Sequence, residues 1–280
     1  MLRPRDLHEA LTLRRDVDCL PLAGGTDVMV ELNFDRRRPE AILDLGRVAE
    51  LGGWAVAGDM LRVGAGVTYL QLQRELARSL PALALAARTV GSPQIRNRGT
   101  IGGNLGAASP AGDCHPPLLA TGAEVELASI AGSRRVRVEE VFVGPKRSVL
   151  RADELIVAVH APVARGPQQF AKVGTRNAMV IAVCSFALAL DRDARGVGTG
   201  IGSAGPTPLR AREAEDYLGS ELDESAAWHG TGGLSDSVIA RFGHLVGEAA
   251  SPIDDVRGSE RYRRHALRVL TERALKRVLV

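Results

Sequence analysis

Two glycine-rich turns constrain this chain more than any other feature. The first, Ala23-Gly24-Gly25-Thr26-Asp27, follows the short apolar run at 19–23. The second is Gly99-Thr100-Ile101-Gly102-Gly103-Asn104. Glycine has no Cβ, so a ligand oxygen can come close to the backbone N–H groups. Successive N–H groups in such turns form an anion-binding concavity. Neither turn ends in the Gly-Lys-Ser/Thr of a P-loop. Each taken alone reads equally well as a tight turn. As a pair, with Thr26, Thr100 and Asn104 beside them, they can hold the two phosphates of a dinucleotide from opposite sides.

A third cluster, Gly200-Ile201-Gly202-Ser203-Ala204-Gly205, matches Gly-x-Gly-x-x-Gly. A Rossmann unit requires a helix to start there, with its N-terminus at the pyrophosphate. Pro206 and Pro208 follow instead, and no acidic residue closes a following strand where one is expected. A glycine-rich strand and turn is the better reading.

Composition narrows the function classes. Of 280 residues, 45% are hydrophobic and 25% charged, the ordinary globular balance, which excludes disorder over most of the chain. The length allows one or two domains. The longest apolar stretch, Ile181–Leu190 with Ser185 inside it, is about half the ~20 residues of a membrane helix. The charged start Met1–Ala10 lacks an apolar signal core, so no membrane span and a cytoplasmic location are expected. Cys19, Cys114 and Cys184 are widely separated, and the histidines are scattered, so reduced thiols and no metal site are expected. Net charge is +3, with nearly all the basic residues arginine. The run Arg36–Arg38 reads as a solvated loop before Pro39. Aromatics at 4% are too few for a base-stacking platform, so no nucleic-acid partner is expected.

Strands are expected at 19–23, 41–45, 125–128, 136–138, 155–160 and 180–190. A hairpin is expected where 54–57 and 61–63 flank Gly58-Asp59, and another where 197–203 returns after the Asp191–Asp193 turn. Thr68 and Gln71 have capping-box spacing and open a helix to about Ser79. A second helix runs from Leu80 to Arg88 with Pro81 in its first turn. Ser109-Pro110 opens a helix toward Leu119, made short or irregular by Pro116 and Pro117. An amphipathic helix covers Ser259–Val280. The connector 162–168 marks a domain boundary. Strands and helices mix without regular βαβ alternation, so the class is α+β.

Two further residues carry charge near these turns. Asp113, nine residues after Asn104, suits a helix first turn and also accepts sugar-alcohol hydroxyls well. Lys172, in a chain with only two other lysines, precedes a core strand together with Arg176.

Taken together, these segments resemble the FAD-binding (medium) subunit of the molybdenum hydroxylases, as in xanthine dehydrogenase and aerobic carbon monoxide dehydrogenase. The resemblance rests on 22–27, Gly64-Ala65-Gly66-Val67-Thr68, Ile95–Asn104, Ser109-Pro110-Ala111-Gly112-Asp113, Asp153-Glu154-Leu155 and Tyr262-Arg263-Arg264-His265-Ala266, in the family's order. It implies a two-subdomain FAD-binding fold of the vanillyl-alcohol-oxidase (PCMH) type, over 1–57 and 58–166, plus a C-terminal α+β domain over 167–280. By that likeness, Leu22, Ala23, Gly24, Gly25, Thr26, Asp27 and Val28 hold the pyrophosphate with Thr100, Ile101, Gly102, Gly103 and Asn104. Ser109 and Asp113 meet the ribityl chain, Val90 and Ile156 pack near the flavin or adenine, and Lys172 approaches from the C-terminal domain. Phe170 and Met179 stand where the family often has a tyrosine and an acidic residue, which leaves the flavin-ring environment and the acceptor open.

The resemblance further implies an electron-transfer subunit with no acid, base or metal site of its own. A molybdopterin-binding large subunit and a [2Fe–2S] small subunit would deliver electrons to FAD, and NAD⁺ or another acceptor would receive them. A purine of the xanthine type is the expected substrate of the assembly. The alternatives are a stand-alone flavin-dependent reductase and a non-enzymatic interaction protein with a vestigial flavin fold.

Overall fold

The computed structural model describes residues 1–229 and 233–279. Residues 230–232 of the expected C-terminal domain, and Val280 at the end of its expected last helix, lie outside the described residues.

Helix α1 (Leu7–Asp16) starts where the Asp6 carboxylate accepts the Glu9 amide at 2.8 Å, and it buries Ala10 and Leu11. Strand β1 (Cys19–Leu22) runs parallel to β2 (Ala41–Asp44), and Leu2 bridges to Leu43. The first glycine turn leaves β1 and leads into the short helix α2 (Val28–Asn33).

The next segment builds an antiparallel five-stranded sheet. Strands β3 (Trp54–Ala57) and β4 (Met60–Gly64) form the expected hairpin. Because they pair across the expected 57/58 subdomain boundary, the hairpin belongs whole to this sheet. Five helices follow: α3 (Tyr69–Glu75), α4 (Pro81–Thr89), α5 (Pro93–Arg98), α6 (Ile101–Ala107) and α7 (His115–Ala120). Then come β5 (Glu124–Ser129), β6 (Gly132–Arg137), the one-turn α8 (Val138–Val141), the small pair β7 (Phe142–Gly144) and β8 (Arg147–Ser148), and β9 (Leu155–Pro162). The sheet order is β3-β4-β9-β5-β6. The nearly unbroken apolar run Leu155–Ala161 is buried throughout, as a central strand covered on both faces requires. Its Val157 and Val159 share one core with Ala10, Leu43 and Leu51 of the first segment.

The third segment has a sheet in the order β10-β11-β12, from β10 (Gln168–Gly174), β11 (Ala182–Asp191) and β12 (Gly196–Gly202). Helices α9 (Arg212–Glu224), α10 (Asp236–Ala249) and α11 (Glu260–Val278) cover it. Phe186 of β11 meets Phe242 of α10 edge to face, with ring centroids 6.4 Å apart. The third glycine cluster lies on and after β12 and serves packing. A Cβ on Gly198 would fall 1.8 Å from the Ala120 carbonyl oxygen, and one on Gly200 would fall 1.9 Å from that of Pro116. Only bare backbone lets α7 lie against this strand.

Two expected helices differ from those found, and helices also form where none was expected. The one opened by Thr68 keeps its capping box but stops at Glu75, with Leu76 as its C-cap. Ser109-Pro110 opens no helix. The helix starts at His115, because Pro116 and Pro117 fit only in a first turn. The glycine-rich stretch Gly99–Asn104, expected as a turn, contains the start of α6, and α5 precedes it.

Candidate functional site

The first turn presents free backbone donors. Gly25 has φ +78°, the left-handed region glycine adopts without strain. The amides of Gly24, Gly25, Thr26, Asp27 and Val28 donate to no other group of the chain among the described residues. Leu22 to Val28 are half-buried, apart from exposed Asp27. A run of unpartnered N–H groups around a left-handed glycine is the concavity that accepts an anion.

The second turn behaves otherwise. Thr100 caps α6, its side chain accepting the Gly103 amide at 3.0 Å. The Ile101 amide donates to Val67 O at 3.0 Å, that of Gly102 to Ala65 O at 2.9 Å, and that of Asn104 to Thr100 O at 3.0 Å. Gly102 is buried because the chain crosses Ala65 there. A Cβ would lie 2.5 Å from the Ala65 Cβ. This corrects the expectation that the amides of Ile101, Gly102 and Gly103 are open to phosphate, since each is satisfied within the protein. What α6 presents outward is Gly103 and Gly106, both exposed, beside half-buried Asn104. The Asn104 Oδ1 is buried and has no hydrogen-bond partner.

The two turns adjoin. A Cβ on Gly24 would fall 1.9 Å from Arg98 O and 3.0 Å from Gly99 Cα. Beneath them lies Tyr69, only 4% exposed, whose ring a Cβ on Gly99 would strike at 2.5 Å. Burial pushes the Tyr69 phenol well above its ordinary value, and Cys114, Asp113 and Asp27 add to the shift. The hydroxyl is thus within electrostatic reach of both the first turn and Asp113.

Asp113 and Lys172 are brought together as a buried ion pair. The Lys172 ammonium also donates to Thr89 O at 3.0 Å, and the Thr89 hydroxyl lies 3.1 Å from Asp113 Oδ2. Burial pushes the Asp113 carboxyl up, while Lys172 and Thr89 pull it back in part. Its other oxygen, Oδ1, is buried without a partner. His115, fully buried, meets Asn104 O through Nε2 at 3.2 Å and lies against Phe142 with ring centroids 4.4 Å apart. Burial lowers its pKa to about 4, so it is neutral at pH 7.

The remaining expected residues are more peripheral. Ile156 lies under α6, its Cδ1 3.8 Å from a Cβ built on Gly106. Half-buried Val90 follows α4, and its carbonyl accepts Arg96. The Ser109 hydroxyl accepts the Ala111 amide and bonds to neither Asp113 nor Lys172. Phe170 is core, among Ala82, Ala86, Ala120, Ala187 and Ala189. Met179 is exposed at φ +51°, with Arg176 donating to its carbonyl. Tyr69, Thr89 and His115 were not anticipated, because each matters through partners remote in sequence.

Residues 1–164 match the family model described as FAD binding domain in molybdopterin dehydrogenase, and 169–278 match the CO dehydrogenase flavoprotein C-terminal domain. The chain belongs to the FAD-binding flavoprotein subunits of the molybdenum hydroxylases. Among such proteins, it is 32% identical to the glyceraldehyde dehydrogenase medium chain of Sulfolobus acidocaldarius, over 99% of this chain and 97% of that one. It is 31% identical to the xanthine dehydrogenase FAD-binding subunit of Escherichia coli, over 96% and 94%. The structure superposes on a chain of carbon monoxide dehydrogenase from Hydrogenophaga pseudoflava with TM-score 0.87 and 26% identity, over 99% of this chain and 96% of that one. The α+β FAD-binding architecture with its C-terminal domain is therefore shared, and the chain is an oxidoreductase flavoprotein subunit. Among the described residues, no helix is long and apolar enough to cross a membrane.

The residues fit the family's FAD. Free amides at 24–28 suit a diphosphate. The orphaned Asn104 Oδ1 and Asp113 Oδ1 suit hydroxyl or N–H donors, and the bare Gly103–Gly106 face admits close approach.

Proposed function

We propose that this chain takes electrons from iron–sulfur clusters on a small subunit, fed by a molybdopterin-binding large subunit, and passes them through FAD to NAD⁺ or another acceptor. The row of unpartnered amides from Gly24 to Val28 carries this reading. A bound flavin supplies the two-electron redox chemistry, and the protein supplies position and electrostatics. The amides of 24–28 neutralise diphosphate charge. Asn104 and Asp113 accept from polyol hydroxyls. Lys172 favours the ionised form of Asp113 against the burial that opposes it and holds the carboxyl in place, and Ile156 supports α6 from below. No residue of the site is arranged to attack a substrate, which fits a subunit whose assembly handles substrate on another polypeptide.

A xanthine-type purine is the substrate we propose for the assembly, supported by the xanthine dehydrogenase relative. Relatives of similar identity act, by name, on glyceraldehyde and nicotinate. Purified protein is expected to be yellow and to release FAD in acid. Colourless protein that takes up no added FAD defeats the proposal. Assay of the native complex with xanthine, nicotinate and glyceraldehyde, each with NAD⁺ and with a quinone, tests the substrate and the acceptor separately.

A further inference from the structure

We infer that Thr89 is a positioning residue for cofactor binding: its hydroxyl, with Lys172, fixes one oxygen of Asp113 so that the other is presented to the cofactor. The inference rests on the proposed placement of FAD at Asp113 and adds a residue to it.

The geometry is specific. Thr89 ends α4, the last residue before the turn that leads to α5. Its Oγ1 lies 2.8 Å from Ala86 O and 3.1 Å from Asp113 Oδ2. Its main-chain carbonyl accepts Lys172 Nζ at 3.0 Å, and Nζ also donates to the same Oδ2. One residue thus holds both members of an ion pair that joins β10 of the C-terminal domain to the loop before α7. Asp113 is only 7% exposed, and among the described residues its side-chain hydrogen bonds all fall on Oδ2.

That asymmetry calls for a ligand. A buried carboxylate oxygen with no partner is costly unless a donor arrives. With Oδ2 held by the Lys172 ammonium and by the single Thr89 hydroxyl proton, which is shared with Ala86 O, Oδ1 is fixed in direction before the donor comes, and a preorganised acceptor loses less freedom on binding. The ligand chemistry that matches is a hydroxyl or N–H donor, which the flavin's polyol chain has. Removing the Thr89 hydroxyl leaves Lys172 alone on Oδ2 and frees the carboxylate to rotate about χ2, so Oδ1 is no longer preset.

The test uses the full chain with FAD as the probe. Thr89→Val keeps the shape and the main-chain carbonyl and loses only the hydroxyl, whereas Thr89→Ser keeps it. Thr89→Val is expected to raise the FAD dissociation constant ~10-fold, the scale of one hydrogen bond to a charged group. Thr89→Ser is expected to stay within ~2-fold of wild type. The melting temperature without FAD separates this from a merely structural role, which would shift melting and leave the dissociation constant of folded protein unchanged. If Thr89→Val does not fold, Thr89→Ala is read by the same criteria. FAD binding by the hydroxyl-less variant at wild-type affinity overturns the inference. If Asp113→Asn also binds FAD as wild type does, the placement of the cofactor at Asp113 fails as well, and wild type that binds no FAD overturns the whole reading.

Discussion

A β-carbon on Gly24 would sit 1.9 Å from the carbonyl oxygen of Arg98, so main chain touches main chain where the first glycine turn meets the segment that opens the second. The two turns, 75 residues apart in sequence, are one surface. Their glycines nevertheless do different work. Gly24 permits the contact, Gly25 permits the left-handed bend, Gly102 lets α6 cross Ala65, and Gly103 faces outward.

Substitutions at these glycines should therefore separate. Gly24→Ala forces the two segments apart and is expected to cost ~1–3 kcal/mol, as overpacking does, and to lower FAD content. Gly25→Ala meets only ordinary contacts, with Leu22 Cδ1 and Met29 Cγ at 3.5 Å. Its cost is conformational, ~1–2 kcal/mol for a left-handed alanine. At Gly103 a Cβ meets Thr100 Oγ1 at 3.0 Å and nothing else within 4 Å. Gly103→Ala should leave melting close to wild type while weakening FAD binding. Absorbance at the flavin band and thermal melting measure both effects. Full flavin content in both Gly24→Ala and Gly103→Ala would show that the cofactor does not approach here.

Lys172→Met strands a buried carboxylate and should cost ~3–5 kcal/mol at pH 7. The Asp113 carboxyl is already pushed up by burial, and loss of the ammonium raises it further. A carboxyl whose pKa is raised on folding binds its proton more tightly in the folded state, so its penalty shrinks as pH falls toward that pKa. The stability deficit of Lys172→Met is thus expected to be smaller at pH 5 than at pH 7 in urea denaturation. An equal deficit at both would contradict the assignment.

His115 predicts an acid limb. Its folded pKa of about 4 lies below its ordinary value, since burial disfavours the charged ring. The neutral ring's contribution is complete above pH ~6.5 and declines as pH falls toward 4, by ~1.4 kcal/mol per unit and ~3 kcal/mol in all. Urea midpoints measured from pH 7 to pH 4 should fall along that slope in wild type and much less in His115→Leu.

Arg263 is the structural anchor of the C-terminal domain. It is 2% exposed, donates to Val183 O at 2.8 Å and to Ser203 O, and pairs with Asp255 at 2.6 Å. Burial opposes ionisation of Asp255, yet the Arg257 amide and the Arg257 and Arg263 guanidiniums hold its carboxyl far below the usual range. Arg263→Met should cost ~3–5 kcal/mol, with the loss persisting down to strongly acid pH, where Asp255 at last protonates. Tryptophan fluorescence at Trp228, buried in this domain, reports the transition. Unchanged stability would show the three bonds to be dispensable.

Local patterns carried much of this protein. The Thr68–Gln71 capping box, the 54–64 hairpin and the apolar central strand at 155–162 each depend on residues a few positions apart, so the sequence alone determined them, together with the family likeness. Tertiary structure decided the rest. Helix α6 forms across Gly102 and Gly103, poor helix formers, with its first turn held by the carbonyls of Ala65 and Val67 and by the Thr100 side chain, and Ala65 leaves room at 102 only for bare backbone. Asp113 finds Lys172 59 residues away, and Thr89 meets both. The closing of the amides of 101–103, unlike those of 24–28, is set by the carbonyls of Ala65 and Val67 and the Thr100 side chain that face them. A glycine in a sequence shows only that backbone is accessible, and the elements packed around it determine whether a ligand or the protein itself takes that access.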